Sequence, residues 1–231
     1  MKTLGLLGGM SWESTAVYYQ WLNRLARERL GGLHSAKLLI WSADFATIAA
    51  MQAAGEWGRA TTLLADAARR LEAAGAEGLL ICANTMHKMA LEVAAAVNIP
   101  LMHVADATAS AIVASGAARP LLLATRFTME QPFYLERLRA RGVEAITPNL
   151  EDRRRLHTII YDELVQGRFE PASRAAVVAI AGRAVSQEGA DGVILGCTEF
   201  GLLVGARDMP VPVFDTTEIH ARAAMDFALA T

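Results

Sequence analysis

Cysteine is scarce in this 231-residue chain, with only Cys82 and Cys197. Two thiols in a chain this long are no disulfide scaffold, and a reducing, cytoplasmic setting fits them best. There is no CxxC pair and no Cys/His ligand spacing, which argues against a structural zinc and leaves no metal to expect. Charge of one sign is also missing. Lys and Arg number 22 against 24 Asp and Glu, so nothing points to nucleic acid or an acidic membrane surface as partner. The run Arg153-Arg154-Arg155 follows Glu151-Asp152 and reads as a solvated helix face. No apolar run reaches the length of a membrane span. Met1 to Met10 is too short and too broken by Gly5, Gly8 and Gly9 to read as a signal peptide. The GxGxxG spacing of a dinucleotide fingerprint is absent from the glycine-rich turn Gly8-Gly9-Met10-Ser11. No linker or low-complexity tract interrupts the chain.

What is there is a repeat. Gly75-Ala76-Glu77-Gly78-Leu79-Leu80-Ile81-Cys82-Ala83-Asn84-Thr85 aligns without a gap on Gly189-Ala190-Asp191-Gly192-Val193-Ile194-Leu195-Gly196-Cys197-Thr198-Glu199. The offset, from 75 to 189 and from 85 to 199, is 114 residues throughout. Each copy reads as a buried strand ending in a polar turn. Cys197 aligns with Ala83, not with Cys82. Cys82 is one residue earlier on its strand, so it points to the opposite side and packs in the core.

Around the repeat, short apolar runs alternate with amphipathic segments. Strands are expected at 3–7, 37–42, 78–82, 101–104, 121–124, 143–147, 193–195 and 211–214. Helices are expected from Ser11, a candidate N-cap, to Leu30, and over 48–55, 57–74, 87–97, 106–115, 132–141, 153–166, 172–188 and 217–230. Thr125-Arg126-Phe127-Thr128 reads as a turn in the place that Gly9-Met10-Ser11 holds in the first half. Alternation of this kind implies an α/β protein with parallel sheets covered on both faces. The expectation is two pseudo-symmetric βα sandwiches facing each other across a cleft. Residues 1–104 with 207–231 form the first, 105–206 form the second, and the last strand and helix return to the first.

Ligands of such sheets bind beyond the carboxyl ends of the strands. Those ends gather Met10-Ser11, Asp44, Ala83-Asn84-Thr85, Thr125 with Thr128, and Cys197-Thr198-Glu199. Amide and hydroxyl donors there suit a carboxylate. A thiol beside them suits proton transfer or nucleophilic attack. Its ordinary pKa near ~8.5 is lowered where a helix begins, so Cys197 is expected to be a reactive thiolate.

Several stretches carry a resemblance: Gly5-Leu6-Leu7-Gly8-Gly9-Met10-Ser11-Trp12, Ser42-Ala43-Asp44-Phe45, Met51-Gln52, Asn84-Thr85-Met86-His87, Thr125 with Thr128-Met129, Gly196-Cys197-Thr198-Glu199 and Asp215-Thr216. On these the chain resembles the aspartate/glutamate racemases. Their cofactor-independent superfamily includes glutamate racemase, hydantoin racemase and arylmalonate decarboxylase. The resemblance implies an amino-acid substrate, no cofactor, and a homodimer. It implies two acid/base side chains on opposite faces of Cα, since one base returning its own proton restores the starting hand. The usual pair is Cys/Cys, with Thr at the first position in some members. Carried over, the second falls on Cys197 and the first on Ala83, which has no proton to exchange.

Three accounts of Ala83 stay open: an engineered exchange of Thr or Cys, a natural member in which water or a neighbour protonates that face, and one-sided chemistry. The functional alternatives to a racemase are a single-cysteine lyase or isomerase on small dicarboxylic acids, and a non-catalytic amino-acid binding protein. Met10, Gln52, Asn84 and Thr85 are implied substrate contacts from the first half. Thr125, Thr128 and Thr198 are implied contacts from the second, with Glu199 and Asp44 supporting the site or holding the amino group. His87 stands between tuning the site and structure; His34, His103, His157 and His220 read as structural. The resemblance places cations for a side-chain carboxylate where this chain has Thr47 and Gln166, leaving Arg126, Lys88 and Arg168 unranked as substitutes.

Overall fold

A five-residue run with every side chain buried, β1 (Leu4–Gly8), opens the structure, as a parallel strand covered on both faces requires. The structure is a computed structural model and describes residues 1–230. After β1 the chain turns sharply. Gly9 takes φ 80°, and a Cβ there would lie 2.3 Å from both the N and O of Ala43. Only glycine permits that approach. Ser11 then caps α1 (Trp12–Leu30), its hydroxyl accepting from the Ser14 amide, and α1 stops at Gly31. β2 (Leu38–Ser42) pairs parallel with β1. Asp44 caps α2 (Phe45–Ala54), and α3 (Trp57–Ala73) leads to β3 (Gly78–Ile81). A 3-10 turn over Thr85–Met89 precedes α4 (Ala90–Ala95), and β4 (Leu101–Met102) completes a parallel sheet of order β2-β1-β3-β4.

α5 (Val104–Ser115) precedes β5 (Leu121–Leu123). Thr125 begins no simple turn: it is the N-cap of α6 (Arg126–Glu130), followed by α7 (Pro132–Arg139), α8 (Leu150–Asp162) and α9 (Pro171–Glu188). Then come β6 (Val193–Leu195), α10 (Phe200–Leu203), β7 (Val213–Asp215) and α11 (Thr216–Leu229). The second sheet is also parallel, of order β5-β6-β7.

The strand expected over 143–147 shrinks to one bridge, Ile146 to Leu121. Gly142 turns the chain just before it, and Pro148 has no amide to extend a ladder. Ile146 nevertheless stands beside β5 as β2 stands beside β1, so the second sheet echoes the order of the first.

The chain divides into two units, Met1–His103 with the segment from His220, and Val104–Ile219. The boundary expected at 207 is therefore corrected. β7 does not return to the first half but pairs with β6, Val193 to Val213 through Leu195 to Asp215. Only the helix that follows crosses back, where Ala221, Ala224, Met225 and Ala228 pack with Leu4, Leu6, Tyr18, Leu22 and Leu80. The other face of the first sheet packs Leu7, Leu79, Ile81 and Ala83 against α2, α3 and α4. The second unit has one core, built from both faces of β5 and β6. Among the described residues no helix is long and apolar enough to cross a membrane.

Candidate active site

In the second unit the site is built at the end of β6. Gly196 donates its amide to the Leu123 carbonyl at 2.7 Å, which ties the strand end to β5. Cys197, Thr198 and Glu199 follow, all buried. One carboxylate oxygen, Glu199 Oε2, accepts from the Cys197 thiol at 3.0 Å and from the Thr198 hydroxyl at 2.7 Å. Burial first, and then the Glu199 charge, hold the Cys197 pKa well above the ordinary thiol value. The expected thiolate is thus corrected to a protonated thiol. α10 is a single turn, too short for its amides to outweigh desolvation and an adjacent carboxylate. The pair can donate the thiol proton, or pass it to Glu199 and leave sulfur as a base.

Two further contacts fix this turn. The Thr216 hydroxyl donates to the Leu195 carbonyl at 2.8 Å. The Asp215 carboxylate accepts from the amides of Thr217 and Glu218 at 2.8 and 3.3 Å. Its other oxygen lies 2.5 Å from where a Cβ of Gly201 would stand, so a side chain at that position would displace the carboxylate. Leu123 and Leu195 pair in register, so Thr125 and Cys197 each stand two residues beyond the paired strand ends. The Thr125 and Thr128 hydroxyls are 3.2 Å apart and both side chains are buried. Ser11 and Ser14 repeat that arrangement 114 residues earlier, with hydroxyls 3.4 Å apart.

In the first unit Ala83 follows β3 and is 8% exposed, with its methyl in the cluster that holds Met10, Met51 and Met86. The Gln52 amide reaches the Met86 sulfur at 3.2 Å. Asn84 and Thr85 are buried at the start of the 3-10 turn. Met10, Gln52, Ala83, Asn84 and Thr85 thus gather in one unit, and Thr125, Thr128, Cys197, Thr198 and Glu199 in the other. Cys82 packs on the opposite face of the sheet with Leu80, fully buried, and burial pushes its thiol far up. Asp44 accepts from the Ala46 amide at 3.2 Å as the cap of α2.

Two of the histidines that sequence spacing left without partners, His103 and His220, have them. His87 donates through Nδ1 to the Ala83 carbonyl at 2.9 Å, and its ring centre is 4.6 Å from that of His103. His220, fully buried, donates through Nε2 to the Met102 carbonyl and accepts at Nδ1 from the Tyr18 hydroxyl, each at 2.9 Å. Burial lowers its pKa to about 4. Among the described residues no three His, Cys, Asp or Glu side chains converge as metal ligands. His157, read from the sequence as structural, lies with its ring 4.5 Å from that of Tyr161 on α8. Their i, i+4 spacing was the available signal.

The chain has known counterparts. A family model described as Asp/Glu/Hydantoin racemase matches residues 7–224. A crystal structure of a Yersinia pestis protein assigned to the Asp/Glu racemases is 50% identical, covers 100% of both chains and superimposes with a TM-score of 0.91. An aspartate racemase homologue from Pyrococcus horikoshii is 36% identical over 100% of both chains, with a TM-score of 0.87. The aspartate racemase of Picrophilus torridus shares the fold, at 19% identity, a TM-score of 0.79, and coverage of 99% of this chain and 94% of that one. With a family model spanning nearly all of its length and full-length relatives well above 30% identity, the chain belongs to the Asp/Glu/hydantoin racemase family.

Proposed function

We propose that this chain is a cofactor-independent amino-acid racemase of the aspartate/glutamate type, working as a cytoplasmic homodimer, in which Cys197 moves the Cα proton. The observation that carries the reading is the Cys197 thiol hydrogen-bonded to the buried Glu199 at a parallel-strand end. Glu199 takes the thiol proton, and the thiolate so formed removes the proton from Cα. The electron pair left on carbon spreads into the α-carboxylate, which Asn84, Thr85 and the backbone at Thr198 hold. Met10, Gln52, Thr125 and Thr128 complete the substrate contacts. Position 83, the repeat counterpart of Cys197, carries a methyl and supplies no proton. Reprotonation with inversion then falls to water.

Deuterium uptake at Cα in heavy water, followed for each enantiomer separately, tests this. Wild type exchanges one hand much faster than it inverts it. Ala83→Thr and Ala83→Cys raise inversion relative to exchange by at least about tenfold, the scale of one positioned acid/base. No exchange with aspartate, glutamate or related amino acids in any of the three proteins removes the racemase reading.

One observation favours a second reading. A thiol held protonated is a ready donor to a carbanion, which a lyase acting on a malonate-type acid needs on one side only. Release of carbon dioxide from such acids, lost in Cys197→Ser, would support it.

A further inference from the structure

In the first unit, three buried imidazoles stand behind the strand end at Ala83. His87, His103 and His220 are 3%, 8% and 0% exposed. The His87 ring centre lies 4.6 Å from that of His103, just beyond β4, and 5.6 Å from that of His220 on α11. His220 is itself fixed at both nitrogens, by the Tyr18 hydroxyl of α1 and the Met102 carbonyl of β4. Three elements thus converge on the His87 ring, and that ring ends on the Ala83 carbonyl at 2.9 Å. A carbonyl only accepts, so His87 carries a proton on Nδ1.

His87 holds two successive carbonyls. Its ring takes that of Ala83, and its own amide donates to that of Asn84 at 3.1 Å. These carbonyls belong to the peptide groups that carry the Asn84 and Thr85 N–H bonds. Both peptides are trans, so each N–H points away from the carbonyl that His87 holds. Fixing the two planes therefore aims both donors. A hydrogen bond to a peptide oxygen also polarises the group and strengthens its N–H as a donor. The second unit closes its turn differently. The repeat counterpart of His87, 114 residues on, is Gly201, and the Cys197 carbonyl accepts from the Phe200 amide at 3.0 Å. There the backbone suffices. At Ala83 the closure falls to a side chain.

We propose that His87 is a positioning residue: its imidazole, braced by His103 and His220, sets the plane of the Ala83–Asn84 peptide so that the Asn84 N–H meets the α-carboxylate of the substrate. The proposal rests on the racemase reading for the part that Asn84 plays. His87 acts through the backbone and exchanges no proton with Cα.

Two substitutions separate the donor from the ring. His87→Phe keeps an aromatic ring against His103 and His220 and has no donor. His87→Gln loses the ring and keeps an N–H for the Ala83 carbonyl. Titration calorimetry with L-aspartate and L-glutamate reads affinity without turnover, and thermal melting reads stability. His87→Phe weakens the tighter of the two ligands by about fivefold or more, the scale of one hydrogen bond to a charged group. His87→Gln holds that affinity within about twofold of wild type, although it melts lower for want of the ring. Should the Phe protein not fold, His87→Leu takes its place. Affinity that follows melting temperature, equal affinities in the two variants, or a wild type that binds neither ligand overturns the proposal. Should affinity divide the variants as expected while no amino acid exchanges its Cα proton, the racemase reading falls and the positioning stands. Exchange in wild type with equal affinities in the two variants does the reverse.

Discussion

At Cys197 a thiol donates to a carboxylate in a buried place, and that carboxylate helps to set the state of the thiol. Burial and the Glu199 charge both oppose the thiolate, so removing the charge should lower the thiol pKa. Glu199→Gln is expected to speed alkylation of Cys197 by iodoacetamide at pH 8 by about tenfold, which is one pKa unit. Peptide mass spectrometry reads the rate, with fully buried Cys82 as the unreactive internal standard. An unchanged rate would mean that desolvation alone governs the thiol. The position of Cys197 was legible because a gapless repeat with a strand pattern sets which residue ends each strand. Its protonation state was not. That depends on where the Glu199 side chain folds and how dry the turn is, and neither leaves a mark in residue order. The contact of His157 with Phe127 was passed over for a similar reason, since α6 is remote from α8 in sequence.

Among the elements, β6 and β7 matter most, because β7 delivers Thr216 to the root of the Cys197 turn. Thr216→Val removes the hydroxyl that meets the Leu195 carbonyl at 2.8 Å. The expected cost is about 1–3 kcal/mol of stability, from a buried carbonyl that loses a donor. Cα exchange should slow as the turn loosens, and Thr216→Ser should restore both. Urea midpoints and exchange rates measured on the same preparations check this. Strand β6 was read at its observed limits, since a short apolar run between Gly192 and Gly196 has little room to vary. The run 143–147 was misread because its alternation is genuine while its flanks, Gly142 and Pro148, forbid a longer ladder. The last strand was assigned to the wrong sheet because pairing between strands is a long-range choice, and a run as short as Val213-Phe214 fits either partner.

At the scale of the molecule, the first unit depends on a buried histidine that is neutral when folded. The His220 pKa falls from 6.5 to about 4 on burial, so between those values the unfolded chain binds the extra proton and folding is opposed. Stability from this group is complete above pH 6.5 and is lost as pH falls toward 4, by about 3 kcal/mol in all. Chemical unfolding at pH 7 and pH 4.5 should show a steeper decline in wild type than in His220→Gln; parallel declines would acquit the histidine. His220 also begins the segment by which α11 rejoins the first unit. Ala221, Ala224, Met225 and Ala228 close the cluster formed by Leu4, Leu6, Tyr18 and Leu22, whose residues come from the opening stretch of the chain. On the ribosome, therefore, the residues of β1 and α1 wait for those of α11. The first unit keeps an oily flank bare until α11 has been made, while residues 104–219 already hold all of their own core. A stop codon ahead of His220 would leave that flank permanently uncovered.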